Sequence, residues 1–129
     1  MAAHLEAAGR GHIAVLSSVA GDRGRPRNYT YGAAKGALNI YLQGVRTRLG
    51  PRGVGVHTLK LGPVDTPMTA SHRKTLLFAR APAVAADIVA AIDANRAEAY
   101  VPWFWRPIMA VVRRLPERVV QGLPALSGR

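Results

Sequence analysis

Tyr31 and Lys35 are the residues whose types and spacing most clearly permit chemistry. They stand four positions apart, so a helix would hold the phenol and the ammonium side by side on one face. A free phenol titrates at about pH 10, and a fixed cation beside a phenol stabilises the phenolate. Such a pair can give a proton to a substrate oxygen and take it back. Because the same spacing also occurs by chance on helix surfaces, the surrounding sequence has to decide between the two interpretations.

Two serines precede this pair at the end of a short apolar segment. Residues His12–Ser17 follow a glycine and are typical of a strand that is buried on both faces in a parallel sheet. Ser17 and Ser18 then fall at the carboxyl end of the strand, which is where ligands bind in open α/β sheets. Alternatively, the two serines only end the strand and cap a turn.

A third motif follows a second predicted strand, Val54–Leu61. Gly62 and Pro63 lead there into a polar loop that runs from residue 64 to residue 69. The glycine would let the backbone approach a ligand closely, and a polar residue after it could act at a helix start. Considered alone, the segment is better explained as a proline-led turn that ends a strand.

The three motifs together resemble a known family in their order and spacing. They are Arg10–Gly21, Asn28–Leu38 and Leu61–Met68, and they closely resemble the second half of a short-chain dehydrogenase/reductase. The resemblance runs from about residue 9 to about residue 101. It implies an oxidoreductase that transfers hydride between a nicotinamide cofactor and a carbonyl or alcohol.

The resemblance implies a role for each residue of a Ser-Tyr-Lys site. The position of Tyr31 in the family protonates the substrate oxygen as hydride arrives, and that of Lys35 assists the tyrosine and binds the nicotinamide ribose. Ser18, rather than Ser17, matches the residue that orients the substrate carbonyl, because it precedes Val-Ala-Gly and stands thirteen positions before the tyrosine.

The resemblance also implies cofactor contacts in the loop after the second strand. Val64 matches a backbone contact to the nicotinamide amide, and Thr66 matches a nearby hydroxyl contact. Gly62 and Pro63 complete this cofactor-binding segment, and the resemblance implies that Tyr31 and Lys35 also contact the cofactor. Leu61 stands where the family usually has proline before the glycine, and we expect little chemical effect from that difference.

The cofactor is expected to be NAD or NADP, and this sequence does not reveal which. In the family, the glycine-rich phosphate loop, the residue that selects the cofactor and a catalytic-helix asparagine all precede the part that this chain resembles. We therefore expect a fragment that corresponds to the C-terminal half of the domain, and we expect it to be inactive alone.

The expected fold class is α/β. It is the C-terminal half of a Rossmann-like, doubly wound parallel sheet, with about three parallel strands, helices on both faces and an amphipathic helical tail. Residues 1–101 are assigned to the Rossmann-like part and residues 102–129 to the tail. The remaining predicted elements are the end of a helix over 1–10, a helix over about 29–49, a short mobile helix over 70–80, a helix over 82–95 and a strand over 98–101.

The tail combines both tryptophans, a phenylalanine and several aliphatic residues with arginines. This composition suits a helix that lies flat on an anionic membrane surface, for which we assign residues 103–118. Alternatively, the segment packs on the body of the protein and closes a substrate pocket. The Trp-Phe-Trp-Arg-Pro sequence is weakly similar to the tails of reductases of polyprenyl-linked sugars, which implies a lipid-linked or hydrophobic substrate.

The composition narrows the remaining functional classes. The net charge of +11 comes from basic residues scattered along all 129 positions, without a nucleic-acid-binding motif, so nucleic acid is not an expected partner. There is no cysteine, no secretory signal and no apolar run of the roughly 20 residues that span a bilayer, so we expect a cytoplasmic protein, peripheral at the membrane at most. The four histidines are isolated and predict no metal site.

Two functions from different classes therefore remain open. The first is the oxidoreductase, acting on a small-molecule or lipid-linked carbonyl or alcohol. The second is a non-catalytic interaction module derived from the same family, because the helix that bears Tyr31 commonly forms the family's dimer face. For the same reason, we expect a homo-oligomer that associates through this helix.

Overall fold

A computed structural model describes residues 1–71 and 74–123. Three parallel strands form the main sheet in the order β1–β2–β5, and two strands of two residues each form a second parallel ladder. The strands are β1 (Gly11–Ser18), β2 (Val54–Leu61), β3 (Val64–Asp65), β4 (Ala79–Arg80) and β5 (Glu98–Val101). The α/β class and the three predicted strands of the main sheet are thereby confirmed.

Five α-helices and three short 3-10 helices connect the strands in the described residues. The α-helices are α1 (Ala2–Ala8), α2 (Tyr29–Leu49), α3 (Ala81–Asp93), α4 (Trp105–Val112) and α5 (Glu117–Gly122), and the 3-10 helices span Val19–Asp22, Gly50–Arg52 and Pro67–Thr69. Pro82 lies in the first turn of α3, where a missing N–H breaks no helical hydrogen bond. None of these helices combines the length and the apolar character that crossing a membrane requires.

Helices cover both faces of the central strand, β2. Val56 belongs to a core cluster with Leu42 and Leu49 of α2, whereas Leu59 belongs to a cluster with Val84 of α3. Residues 56 and 59 are three positions apart and therefore point to opposite faces of the sheet. The helices on both faces, as predicted, thus exclude water from β2.

The first strand differs from the prediction of burial on both faces. Ile13 and Val15 pack in the cluster beside α2, but His12, Ala14 and Leu16 are exposed, and Leu16 keeps 52% of its surface accessible. That prediction is wrong because α3 packs against β2 and β5 and leaves this face of β1 uncovered within the described residues. Apolar composition alone did not distinguish the edge strand from the central one.

The segment before α3 also differs from the prediction. Across residues 70–71 and 74–80 the described chain contains no helix, and the segment ends in β4, which pairs with β3. The N–H of Ala79 donates to the carbonyl of Pro63 at 3.0 Å, so the chain is drawn into an extended ladder rather than a helical lid. His72 and Arg73 of the predicted helix lie outside the described residues.

The aromatic tail packs one of its faces on the body of the protein. Trp105, Met109 and Val112 of α4 are buried in a cluster with Val19, which follows β1 directly. Trp103 remains exposed just before α4. Packing on the body, one of the two interpretations of this segment, therefore describes the buried face of α4. Residues 124–129 of the predicted tail lie outside the described residues.

Candidate active site

Ser18 lies at the carboxyl end of β1, paired in register with Leu61 of β2. Its hydroxyl donates to the carbonyl of Leu61 at 3.4 Å and accepts the N–H of Ala20 at 3.1 Å. The second bond makes Ser18 the N-cap of the 3-10 helix that follows the strand. The side chain is half-buried, so Ser18 both caps a turn and lies at the edge of the sheet where ligands are expected.

Ser17 has a different environment from Ser18. It is buried, and its hydroxyl donates to Oδ1 of Asn39, a buried residue of α2, at 2.5 Å. Ser17 therefore ties the strand to the helix, and its hydroxyl proton is already used. Of the two serines, Ser18 is the one that remains accessible.

Tyr31 and Lys35 lie together at the start of α2. The phenol keeps 43% of its surface exposed, and Nζ of Lys35 lies 5.7 Å from the centroid of the Tyr31 ring. The ammonium also donates to the carbonyl of Leu16 at 3.0 Å, which fixes it near the carboxyl end of β1. The four-residue spacing therefore places a fixed cation beside an accessible phenol.

Three glycines let α2 approach the chain that follows Ser18. A Cβ at Gly32 would lie 2.9 Å from the carbonyl oxygen of Ala20, and one at Gly21 would lie 2.7 Å from the backbone of Lys35. A Cβ at Gly36 would be 3.1 Å from the carbonyl oxygen of Gly21. The small residues of α2 thus meet the turn after β1, and this contact positions the Tyr31 end of α2 against the end of the strand.

The structure brings Tyr31 and Lys35 together more directly than it brings either to Ser18. No hydrogen bond between Ser18 and Tyr31 occurs in the part of the chain that the structure describes. Leu16, which accepts from Lys35, precedes Ser18 by two residues. The catalytic roles of the three residues stay predictions.

The segment after β2 is more ordered than the predicted polar loop. Val64 and Asp65 form β3, and Thr66 begins a 3-10 helix, where its N–H donates to Oγ1 of Thr69 at 3.1 Å. The N–H of Gly62 donates to the carbonyl of Val101 at 3.0 Å. Two of the backbone donors in this cofactor-binding segment are therefore already used within the protein.

The close neighbour of Gly62 is an indole ring rather than a free surface. A Cβ at this position would overlap the ring of Trp105. Nε1 of Trp105 is buried and has no hydrogen-bond partner among the described residues. The absence of a side chain at Gly62 is thus needed for α4 to pack on the end of the sheet.

A buried ionic cluster that sequence reasoning missed lies behind the candidate site. Nζ of Lys60, on β2, is 2.8 Å from Asp22 and 3.1 Å from Glu98, and the side chains of Lys60 and Asp22 are each only 5% exposed. The hydroxyl of Tyr100 donates to the same Asp22 carboxylate at 2.6 Å. Asp22 ends the 3-10 helix that Ser18 caps, so the cluster anchors this turn to β2 and β5.

Both cationic and phenolic groups of the cluster hold their protons tightly. Burial by itself would lower the pKa of Lys60, but the hydrogen bonds and negative charges of Asp22 and Glu98 outweigh it and raise that pKa. Burial, together with the hydrogen bond to Asp22 and its charge, raises the pKa of Tyr100. The available sequence signal was a lysine within a predicted strand, because a lysine has to be paired if it is buried.

Two of the histidines are not isolated, contrary to the prediction. Nδ1 of His12 lies 2.8 Å from Nε2 of His57, and Nδ1 of His57 lies 2.7 Å from the carbonyl oxygen of Arg96. Because a carbonyl only accepts, Nδ1 of His57 is the donor to Arg96. The two histidines are 45 positions apart, and only the parallel pairing of β1 and β2 brings them together.

Comparison with known proteins decides the family. The family described as short chain dehydrogenase matches residues 1–77. The chain belongs to the short-chain dehydrogenase family. The matched range contains Ser18, Tyr31 and Lys35 as well as the segment after β2, so the resemblance inferred from the motifs is confirmed.

Curated oxidoreductases match nearly the whole chain. An uncharacterized oxidoreductase of Mycobacterium tuberculosis (strain CDC 1551 / Oshkosh) is 35% identical over 96% of this chain and 50% of its own length. Another, from the mprA 5' region of Streptomyces coelicolor, is 34% identical over 94% of this chain and 48% of its own length. The chain therefore spans about half the length of the curated relatives it matches.

Solved structures show the same fold. A short chain dehydrogenase from Burkholderia cenocepacia J2315, crystallised in complex with NADP, has a TM-score of 0.76 at 24% identity over 95% of this chain and 49% of its own. A bulky-bulky ketone specific alcohol dehydrogenase from Comamonas testosteroni has a TM-score of 0.66 at 19% identity over 90% of this chain and 47% of its own. The Rossmann-like architecture of the described residues agrees with these structures.

Proposed function

We propose that this chain supplies the proton-transfer half of an NAD(P)-dependent oxidoreductase that interconverts a carbonyl and an alcohol. The observation that carries the proposal is the ammonium of Lys35, held by the carbonyl of Leu16 at 3.0 Å and lying 5.7 Å from the ring centroid of the accessible Tyr31. The bond to Leu16 ties Lys35 to β1 two residues before Ser18, which lies at the carboxyl end of that strand. Family membership supports the reaction class.

Each of the three side chains has a distinct task in this proposal. Tyr31 gives its hydroxyl proton to the carbonyl oxygen as that oxygen becomes an alcohol, and takes the proton back in the opposite direction. Lys35 stabilises the phenolate that remains. Ser18 donates a hydrogen bond to the substrate oxygen and keeps it within reach of Tyr31.

The residues present fit the nicotinamide end of a dinucleotide. An ammonium has three N–H donors, and Lys35 uses one of them on Leu16, so two are free for ribose hydroxyls. When bound, the nicotinamide supplies or accepts the hydride. In the segment after β2, the backbone of Val64 and the hydroxyl of Thr66 are the proposed cofactor contacts, on the resemblance of these positions to the family. The N–H groups of Gly62 and Thr66 already donate within the protein, and the carbonyl of Val64 already accepts from Oγ1 of Thr69 at 2.6 Å.

A chimaeric enzyme tests the proposed function. The N-terminal half of the Mycobacterium tuberculosis relative would be joined to this 129-residue chain, and oxidation of NADH and NADPH would be followed with a panel of ketones. We expect Tyr31→Phe to lower turnover at least about 100-fold, because it removes the proton donor. The control is Tyr41→Phe, which loses the same hydroxyl from an exposed position on the same helix. Equal turnover of the two variants would contradict the assignment of Tyr31.

We also propose that the chain alone neither binds NADH or NADPH tightly nor reduces ketones. Its sequence contains no glycine-rich phosphate-binding loop, so the diphosphate of the cofactor has no backbone cradle among these residues. Titration calorimetry of the isolated chain with each cofactor checks this expectation. Micromolar affinity would contradict it.

The alternative function, a non-catalytic module that associates through α2, has one observation in its favour. Ile40 and Tyr41 are large apolar residues that α2 leaves exposed. A homodimer through this helix should dissociate when Ile40→Glu places a charge there. Sedimentation equilibrium of the wild type and of this variant distinguishes the module from a monomeric chain, and the chimaera distinguishes it from the enzyme.

A further inference from the structure

A groove of about 570 Å³ separates the loop before α2 from α5. Arg23, Arg25 and Tyr29 line it on one side, and Leu115, Val120 and Gln121 line it on the other. None of the three proposed catalytic residues contributes to its wall. Its volume is within the range of small-molecule sites in proteins.

The two arginines of the groove are half-buried and lack carboxylate partners. In the described part of the chain neither forms an ion pair, Arg23 makes a single long hydrogen bond to the carbonyl of Arg113 at 3.5 Å, and Arg25 makes none. Glu117 also lines the groove but forms no ion pair with either arginine among the described residues. The guanidinium groups are not among the buried unpartnered atoms, so their N–H donors face solvent at the groove and can bind an external acceptor.

Arg46 shows how this chain satisfies a half-buried guanidinium when no ligand is involved. Its N–H groups donate to the carbonyls of Val56 and Ala97 and to the hydroxyl of Thr58, at 2.6–2.8 Å. Arg23 and Arg25 have no comparable set of acceptors in the described residues. The contrast indicates that their donors are available at the groove.

The chemistry of the groove favours a phosphate group over a carboxylate. Each guanidinium presents five N–H donors, and a phosphate monoester brings two negative charges and three acceptor oxygens, which two arginines can share. The hydroxyl of Tyr29 adds a neutral donor, whereas the amide of Gln121 already donates to Oε1 of Glu117 at 3.5 Å. Leu115 and Val120 provide an apolar wall that a bare phosphate ion would not use.

We propose that this groove binds a phosphate monoester that carries a small apolar or aromatic group. Arg23 and Arg25 hold the phosphate, and Leu115 and Val120 contact the apolar group. The site shares no residue with the Tyr31 and Lys35 pair, so it does not depend on the proposed hydride transfer.

Titration of the 129-residue chain with three probes at low ionic strength tests the proposal. The probes are phenyl phosphate, inorganic phosphate and phenol, measured by calorimetry or by ligand-observed NMR. We expect phenyl phosphate to bind more tightly than inorganic phosphate, and phenol not to bind measurably. Arg25→Gln and Arg23→Gln should each weaken phenyl phosphate at least about tenfold, which is the expected loss of a charge-assisted hydrogen bond.

Two further variants separate this site from general attraction to a basic protein. Arg118→Gln removes the same charge from α5 but lies outside the groove wall, so it should leave the affinity nearly unchanged. Leu115→Ser should weaken phenyl phosphate and leave inorganic phosphate unaffected. Circular dichroism melts establish that each variant is folded, and Arg25→Lys, which keeps the charge, should recover part of the affinity.

Four outcomes would overturn the proposal. They are the absence of measurable binding of phenyl phosphate, an equal loss of affinity in Arg118→Gln and Arg25→Gln, an equal affinity for phenol and phenyl phosphate, and an equal affinity for inorganic phosphate and phenyl phosphate. The second indicates diffuse electrostatic attraction. The third indicates purely apolar adsorption, and the fourth an adventitious ion only.

Discussion

At the scale of single residues, the buried cluster of Lys60, Asp22, Glu98 and Tyr100 determines how the turn after Ser18 is held. The carboxylate of Asp22 forms an ion pair with Lys60 and accepts a hydrogen bond from the hydroxyl of Tyr100. One carboxylate thus connects a 3-10 helix with two strands. Charges buried to this degree have lost most of their hydration and depend on their partners. Removing one partner should therefore lower the free energy of unfolding by more than the intact ion pair adds to it.

Asp22→Asn tests this dependence with a side chain of nearly the same shape. We expect the free energy of unfolding to fall by about 3 kcal/mol, because Lys60 keeps its charge but loses its buried partner. Denaturant titration of the two proteins measures the difference. Asp93→Asn, at the end of α3 outside the cluster, is the control and should change stability little. A change below about 0.5 kcal/mol in Asp22→Asn would show that the cluster is not a strong anchor.

The raised pKa values of Lys60 and Tyr100 predict an alkaline loss of stability. The folded protein holds both protons more tightly than the unfolded chain, so their contribution is complete below the unfolded values of about 10. It is lost as the pH rises through the higher folded values. Thermal melts between pH 8 and pH 11 should show the transition temperature falling above about pH 10. In Tyr100→Phe this fall should be shallower, whereas Tyr41→Phe should behave as wild type.

At the scale of elements, α2 packs against the turn after β1 through direct contact between backbone atoms, without side chains between them. Gly32 faces the carbonyl oxygen of Ala20, with no room for a side chain, whereas Gly44, farther along the same helix, has open space around it. The same change at the two positions should therefore have opposite effects. This contact is what relates the Tyr31 end of α2 to Ser18.

Gly32→Ala and Gly44→Ala form a matched pair of substitutions within α2. The first should destabilise the fold by about 1–3 kcal/mol, because a Cβ would stand 2.9 Å from a carbonyl oxygen. The second should stabilise it by about 0.5–1 kcal/mol, because alanine lowers the entropy cost of an exposed helical position. Chemical denaturation of both variants measures these shifts. Stabilisation by both would mean that α2 and the turn have room to separate.

The proposal that residues 103–118 bind an anionic membrane surface depends on the exposed face of this segment. Trp103 and Val111 are exposed, as are Arg106, Arg113 and Arg114, while the opposite face of α4 is buried in the core. Trp103→Ser with Val111→Ser should reduce sedimentation with phosphatidylserine vesicles several-fold without disturbing the core. Val89→Ser, an exposed aliphatic on α3, is the control. Unchanged sedimentation of the double variant would contradict the proposal.

These elements also show which parts of the fold the sequence could specify. The bounds of α2 could be predicted because a run of helix formers ends at Gly50 and Pro51, which form the 3-10 helix that follows, although Asn28 before α2 makes no side-chain capping hydrogen bond. By contrast, the exposure of one face of β1 depends on which strands α3 packs against. The pairing of His12 with His57 depends on strand register. Neither can be read from short-range patterns, because both are set by packing between distant segments.

At the scale of the whole molecule, the three clusters of the core are arranged around β2. One lies beside α2, one beside α3 and one beneath α4, and the candidate site is at the carboxyl edge between them. The motifs placed Ser18, Tyr31 and Lys35 near one another because each is tied to a strand end or a helix start. They could not reveal the ionic cluster, whose members come from three separate segments, or the proposed phosphate groove, whose members come from two.

The second edge of β1 has a consequence for experiments on the 129-residue chain by itself. In the described part of the chain, the eight residues of this strand pair only with β2, and Leu16 is exposed on the adjoining face. An unpaired strand edge of this length is a template onto which another extended chain can add by backbone hydrogen bonding. We therefore expect solutions of the 129-residue chain alone to aggregate faster as their concentration rises, which light scattering over a dilution series would measure.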